Sequence, residues 1–175
     1  MRGLPTGNFR LTEHILIAHV LQPMRVALYQ PDIAGNLGTI LRTCACLQVS
    51  VDIIEPCGFP FSDRSLKRAG MDYFDHVQYT RHPDWDAFDA SLDSRPARII
   101  LFSSKAETAF HEFEYQKDDV LLFGSESTGV PQNIHDRADE RVTIKMTTGM
   151  RSLNLAVSAG MALGDALQQT GQFPE

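Results

Sequence analysis

The stretch Leu122-Phe123-Gly124-Ser125-Glu126-Ser127-Thr128-Gly129-Val130-Pro131 decides how the chain is read. An apolar run over residues 120–123 reads as a strand, and it ends in a turn punctuated by two glycines and carrying one carboxylate. Ligands of parallel α/β sheets bind outside the carboxyl ends of the strands, so a polar turn at that position marks a candidate site. It is not a serine-hydrolase elbow, which needs glycine two residues before Ser127, where Ser125 stands. Neither this turn nor Gly35 to Gly38 supplies GxGxxG or GxxxxGK, which leaves classical dinucleotide and nucleoside-triphosphate sites poorly supported.

Outward from this turn, apolar blocks alternate with helical patterns. Strands are expected over residues 26–29, 51–54, 76–79, 99–103 and 141–144, and helices over 36–47, 65–73, 84–92 and 152–169. In the first helix Leu37, Ile40, Leu41 and Cys44 recur at helical spacing. Such alternation predicts an α/β fold, a mainly parallel sheet with helices on both faces. The last helix is rich in small residues: Ala156, Ala159, Gly160, Ala162 and Gly164. Two readings stand for it: ordinary helix-on-sheet packing, or else a tightly packed interface or a chain segment tucked through a loop.

Two further strand-to-helix turns carry chemistry. In Gln30-Pro31-Asp32-Ile33-Ala34-Gly35-Asn36-Leu37-Gly38-Thr39-Ile40-Leu41-Arg42, Asn36 is placed to cap the first helix and Arg42 to project from it. Read blandly, this is a capped helix with a surface arginine. In Ile144-Lys145-Met146-Thr147-Thr148-Gly149-Met150-Arg151-Ser152-Leu153-Asn154-Leu155, Ser152 is placed to cap the final helix, where exposed amides can hold polar groups of a ligand. Each loop alone is routine. Together they put three candidate ligand loops on one sheet.

Bulk properties bound the rest. At 175 residues and 43% hydrophobic content the chain suits one domain with a real core. Residues 1–23 differ in composition from 24–175: either Met24 is the native start after an extension, or an additional helix capped by Thr12 covers 12–21. No apolar stretch approaches the roughly 20 residues of a membrane span and no secretory signal opens the chain, so no membrane association and a cytoplasmic location are expected. Cys44, Cys46 and Cys57 are expected as reduced thiols, and no His or Cys spacing implies a metal. With 22 acids against 16 bases the net charge is −6, so any nucleic-acid contact must be local. Arg64, Lys67 and Arg68, at spacings of three and four, form a small basic face that either holds RNA or is a solvated helix surface.

The three turns, in this order, resemble the signature motifs of the SPOUT 2′-O-methyltransferases: Asn36 with Arg42, Gly124-x-Glu126-x-x-Gly129, and Ser152-Leu153-Asn154-Leu155. Ile54-Glu55-Pro56-x-Gly58-Phe59 and Lys67-Arg68-Ala69-Gly70-x-Asp72-Tyr73 are similar to the small branch that modifies the tRNA wobble nucleotide. The resemblance, spanning residues 24–169, implies a deep C-terminal trefoil knot, a homodimer, S-adenosylmethionine as cofactor and ribose 2′-O-methylation of the anticodon stem-loop of tRNA. It implies a cofactor pocket lined by Phe102, Gly124, Ile144 and Ser152. Arg42, Asn36, Glu126 and Asn154 would be the catalytic set and Arg64, Lys67 and Arg68 the RNA contact. Lysine at 145 stands where the family usually has proline and serine at 125 where it often does, and Gly164-Asp165 stands where many wobble enzymes carry an aromatic–acidic pair. Two alternatives stay open: another tRNA or ribosomal RNA site, and a noncatalytic RNA-binding protein on the same fold.

Overall fold

The apolar blocks pair into a sheet. The computed structural model describes residues 23–61, 77–94 and 96–175; the helices expected over 12–21 and 65–73, with Arg64, Lys67 and Arg68, lie outside the described residues. Within them six strands, β1 (Arg25–Tyr29), β2 (Ser50–Ile54), β3 (Tyr79–His82), β4 (Ile99–Phe102), β5 (Val120–Phe123) and β6 (Glu140–Val142), pair in the order β3-β2-β1-β5-β4-β6. Every pairing is parallel. Leu28 of β1 is level with Phe123 of β5, which is level with Phe102 of β4, so three carboxyl ends open side by side.

Alternate residues of the strands feed two apolar layers, the period-2 signature of a sheet covered on both faces. Val26, Leu28, Val51, Ile53, Ile100, Leu121 and Phe123 pack with helices α1 (Ala34–Cys46) and α4 (Leu155–Thr170). Ala27, Ile54, Ile99, Leu101, Val120 and Leu122 pack on the other face with Phe88 of α2 (Trp85–Ser91) and Ile134 of α3 (Gln132–Arg137). On α4 the small residues divide by face. Ala159, Ala162 and Ala166 are buried on the sheet, whereas a Cβ added at Gly160 or Gly164 would meet nothing within 4 Å.

Several boundaries differ from those expected, each for a physical reason. The third strand runs over Tyr79–His82 rather than 76–79, because its anchor is polar: buried His82 Nε2 lies 2.8 Å from Asp52 Oδ1, and Asp52 Oδ2 also accepts from Arg25 Nη1 at 3.2 Å. Hydrophobic periodicity does not register such a group. The sixth strand ends at Val142; Thr143 bridges to Ala109 and Ile144 turns to the loop side. The final helix starts at Leu155, three residues after Ser152. A six-residue helix, α3, and a 3₁₀ turn at Phe110–Glu112 are too short for a periodic pattern to announce them.

Cys44, Cys46 and Cys57 are free thiols. Burial pushes the Cys44 thiol up to about 12. Among the described residues no helix is long and apolar enough to cross a membrane, and no group of three or more His, Cys, Asp or Glu side chains is placed to hold a metal.

Candidate functional site

The turn after β5 is shaped by its two glycines. Gly129 has φ of +69°, a conformation that costs L side chains energy and glycine little. A Cβ at Gly124 would lie 2.5 Å from the Gly129 carbonyl carbon, so the backbones meet only because Gly124 has no side chain. Ser125 closes the turn by giving its N–H to Gly129 O at 3.1 Å and receiving Gly129 N–H at 2.9 Å. Its hydroxyl also lies 2.8 Å from that of Thr128. Hydrogen bonding thus secures the position where proline is common in the resembling family, and a proline would have no N–H to give.

This turn clasps the one after β1 reciprocally. Asp32 gives its backbone N–H to Glu126 Oε2 at 2.7 Å, and Ser127 gives its backbone N–H to Asp32 Oδ2 at 2.9 Å. The Ser127 hydroxyl donates to the same oxygen at 2.6 Å, and it is this bond first, then the backbone one, that holds the Asp32 carboxyl below its usual range. Each carboxylate is therefore satisfied by the other loop.

The third loop joins through amides. Asn36 Nδ2 donates to Glu126 Oε1 at 2.8 Å, and Asn154 Nδ2 donates to Asn36 Oδ1 at 2.8 Å. Asn154 Oδ1 then accepts the N–H groups of Ala156 and Val157, which makes it the N-cap of α4. Both capping expectations are corrected. Asn36 is not a cap: α1 begins at Ala34 after Ile33, and Asn36 is buried in the first turn with its amide committed across loops. Ser152 is not the cap of α4; Asn154 is, since its side chain can accept from the helix while its amide N–H₂ reaches Asn36.

Around these three loops lies a cavity of about 760 Å³, within the size range of cofactor sites. Phe102, Gly124, Ile144 and Ser152 all line it, as do Asn36, Glu126 and Asn154. Under it the rings of Phe102 and Phe123 stack at 4.6 Å between centroids. Arg42 does not line it. Six residues after Asn36 at 3.6 residues per turn, Arg42 points about 120° away from the Asn36 direction, and it is exposed.

Sequence reasoning missed two features of the wall. Lys105 and Arg151 both line the cavity, although neither was singled out. His135 of α3 also lines it, with Nδ1 accepting from Arg141 Nε at 3.2 Å, while its buried Nε2 has no partner among the described residues. No spacing rule reports a histidine that reaches a cavity from a six-residue helix.

Comparison with known proteins places this geometry. Residues 23–164 match the model of the SpoU rRNA Methylase family. A protein of Beijerinckia indica subsp. indica named tRNA (cytidine(34)-2'-O)-methyltransferase is 53% identical over 146 residues, 83% of this chain and 91% of the relative. A protein of the same name from Escherichia coli K12 is 36% identical over 150 residues, 85% and 94% of the two chains. A solved structure described as giving insights into the 2-OH methylation of C/U34 on tRNA superposes with a TM-score of 0.78 at 40% identity, covering 83% of this chain and 95% of that one. An AdoMet-bound rRNA methyltransferase from Sinorhizobium meliloti superposes with a TM-score of 0.76 at 26% identity, over 85% of this chain and 57% of that one.

Proposed function

Given that the chain belongs to the SpoU rRNA methylase family, we propose that it transfers a methyl group from S-adenosylmethionine to the ribose 2′-hydroxyl of the wobble cytidine or uridine of tRNA. The observation that carries this reading is the hydrogen-bonded chain Glu126–Asn36–Asn154, which draws the loops after three different strands around one cavity at the carboxyl edge of the sheet. The wobble target is supported by relatives of that name at 53% and 43% identity that this chain matches over 91% and 95% of their length. The reading places the enzyme in the cytoplasm, where tRNA matures, and takes the C-terminal knot from the family.

The residues suit this cofactor. Apolar side chains of Phe102, Val130 and Ile144 offer walls for a purine, and Lys105 and Arg151 offer cations for the carboxylate of the amino-acid end. Phe102, Gly124, Ile144 and Ser152 would hold the cofactor, which supplies an electrophilic methyl group when bound. Both oxygens of Glu126 are taken by Asp32 N–H and Asn36 Nδ2, so Glu126 holds loops rather than moving a proton. Asn36 and Asn154 position the same loops.

Arg42 points away from its own cavity, and we assign it to the partner's site in a homodimer. The exposed apolar residues of α4, Val157 at 52% and Met161 at 41% exposure, lie one turn apart and with Ile33 and Leu153 give a second copy an apolar surface to cover. A guanidinium is a poor base in isolation. Arg42 instead holds a substrate phosphate through its forked N–H groups and stabilises negative charge growing on the ribose oxygen, while a phosphate oxygen or water takes the proton. Arg64, Lys67 and Arg68 are assigned to the anticodon stem-loop backbone. Replacing all three with alanine should flatten the salt dependence of tRNA binding and leave cofactor affinity unchanged.

The test is incubation of the purified protein with methyl-labelled S-adenosylmethionine and unmodified tRNA, followed by nucleoside analysis. Label in 2′-O-methylcytidine or 2′-O-methyluridine at the wobble position is expected. Label on a base, at another nucleotide or only in ribosomal RNA would reject the substrate, and a folded protein that takes up no cofactor would reject the enzyme.

A further inference from the structure

The turn that leaves β2, Glu55-Pro56-Cys57-Gly58-Phe59, does not line the cavity. It lies against the loop after β1, because β1 and β2 are neighbours that end level, Tyr29 beside Ile54. Two backbone hydrogen bonds tie the turns together: Gln30 gives its N–H to Ile54 O at 2.8 Å, and Gly58 gives its N–H to Pro31 O at 3.0 Å. Gly58 then meets the next residue, Asp32, at very short range. A Cβ added at Gly58 would lie 2.9 Å from Asp32 Cα, 3.0 Å from Asp32 Oδ1 and 3.1 Å from Asp32 O.

Two of those three atoms are backbone, so no side-chain rotation makes the space. Gly58 also lacks the positive φ that Gly129, Gly149 and Gly171 adopt, and the left-handed region does not explain a glycine there. Close approach of two backbones does. Asp32 is the residue through which the first loop joins the site: its N–H goes to Glu126 Oε2 at 2.7 Å, and its Oδ2 accepts the Ser127 hydroxyl at 2.6 Å. Bonds of this length have no room to shorten. A side chain at position 58 must therefore displace Asp32 from them, or drive the turn after β2 back and break its bond to Pro31 O. Either way Asp32 is no longer held from both sides, and Glu126, whose other oxygen orients Asn36, loses a fixed neighbour.

We propose that Gly58 is a positioning residue for the methyl-transfer site. Its bare Cα lets the turn after β2 close on Asp32, which holds the first loop against Glu126 and keeps the Glu126–Asn36–Asn154 chain in register around the cavity. The inference rests on the reading of that cavity as the cofactor site.

The test compares Gly58→Ala with Cys57→Ala, a change in the same turn at a residue that packs against the apolar layer of α1 and α4. Both variants should be less stable than the natural chain in denaturant melts. Only Gly58→Ala should weaken S-adenosylmethionine binding in calorimetric titration of the full chain, by about 3- to 30-fold, as for residues that bias a site without touching its ligand. Only Gly58→Ala should raise the pH at which the Asp32 carboxyl carbon titrates, since the bonds from Ser127 hold that carboxyl low. Natural affinity or an unmoved Asp32 titration in a folded Gly58→Ala, or an equal loss of affinity in Cys57→Ala, overturns the inference and leaves the cofactor assignment standing. Failure of the natural chain to bind S-adenosylmethionine overturns both. If Gly58→Ala does not unfold cooperatively, amide exchange of Ser127→Ala decides: loosening Asp32 should lower the protection of the Gly58 N–H with it, and protection equal to that in the natural chain overturns the inference.

Discussion

Asn154 Nδ2 donates to Asn36 Oδ1 at 2.8 Å, joining side chains 118 positions apart. The direction of this bond is fixed at both ends. The Glu126 carboxylate only accepts, so Asn36 must turn its N–H₂ toward it and its oxygen toward Asn154. Asn154 must in turn keep its oxygen for the first N–H groups of α4. A single amide orientation satisfies every member, which is what a polar network needs to hold three loops in register.

Asn36→Asp tests that polarity. It places a second carboxylate against Glu126, and like charges at hydrogen-bond distance cannot both ionise without cost. The variant should be less stable than Asn36→Ala at neutral pH. The sign follows from the raised pKa of the shared site: the deficit is full above that pKa and shrinks as pH falls and one carboxyl takes a proton. Thermal melts of both variants from pH 8 to 5 check it, and a pH-independent gap between them would remove the proposed charge contact.

Asn154 combines two jobs that substitution can separate. Asn154→Ser retains a capping oxygen but loses the amide donor to Asn36, whereas Asn154→Ala loses both. Alanine should cost about 1 kcal/mol more than serine in denaturant melts, the worth of a helix cap. Both should lower cofactor affinity alike, since both cut the tie between the first and third loops. Affinity that follows the cap rather than the tie would show that the bridge does not shape the cavity.

Much of this was legible in the sequence. The apolar runs of β1, β2 and β5 fell within a residue of their observed bounds, because strands buried on both faces read as continuous apolar segments. The glycine turn after β5 announced itself by composition. Polar side chains used in three dimensions did not. Asn36 sits where a cap is expected by spacing, yet its partners are Glu126 and Asn154, 90 and 118 residues away. β3 is placed by His82 on Asp52, a buried polar contact that hydropathy counts against a strand. His135 reaches the cavity from a helix too short to show a period.

Arg42 carries the prediction about subunits. Arg42→Lys should reduce kcat/KM by about 10²- to 10³-fold, as loss of an oriented donor does. Its affinity for S-adenosylmethionine should match the natural protein, because Arg42 is assigned to the substrate phosphate and not to the cofactor. Mixing Arg42→Ala with Glu126→Ala chains should restore part of the activity that neither has alone, as each mixed dimer can assemble one intact site. No recovery in heterodimers isolated by dual tags would return Arg42 to its own protomer.

The Asp32–Ser127 clasp sets an acid limit. Because the folded Asp32 carboxyl is held below the ordinary value of about 3.9, its contribution is complete above that pH and fades as pH falls through the lower folded value. Ser127→Ala removes the hydroxyl that contributes most to this lowering. The Asp32 carboxyl-carbon resonance should then titrate at higher pH than in the natural protein. An unchanged titration would show that the hydroxyl does not bond to Asp32 in solution.

Hydrogen–deuterium exchange of the full chain with and without S-adenosylmethionine tests most directly whether three separate loops grip one methyl donor. Protection should rise together over residues 30–36, 124–130 and 144–154, with α2 at Trp85–Ser91 unchanged. Protection confined to a single loop, or centred on α2, would contradict it.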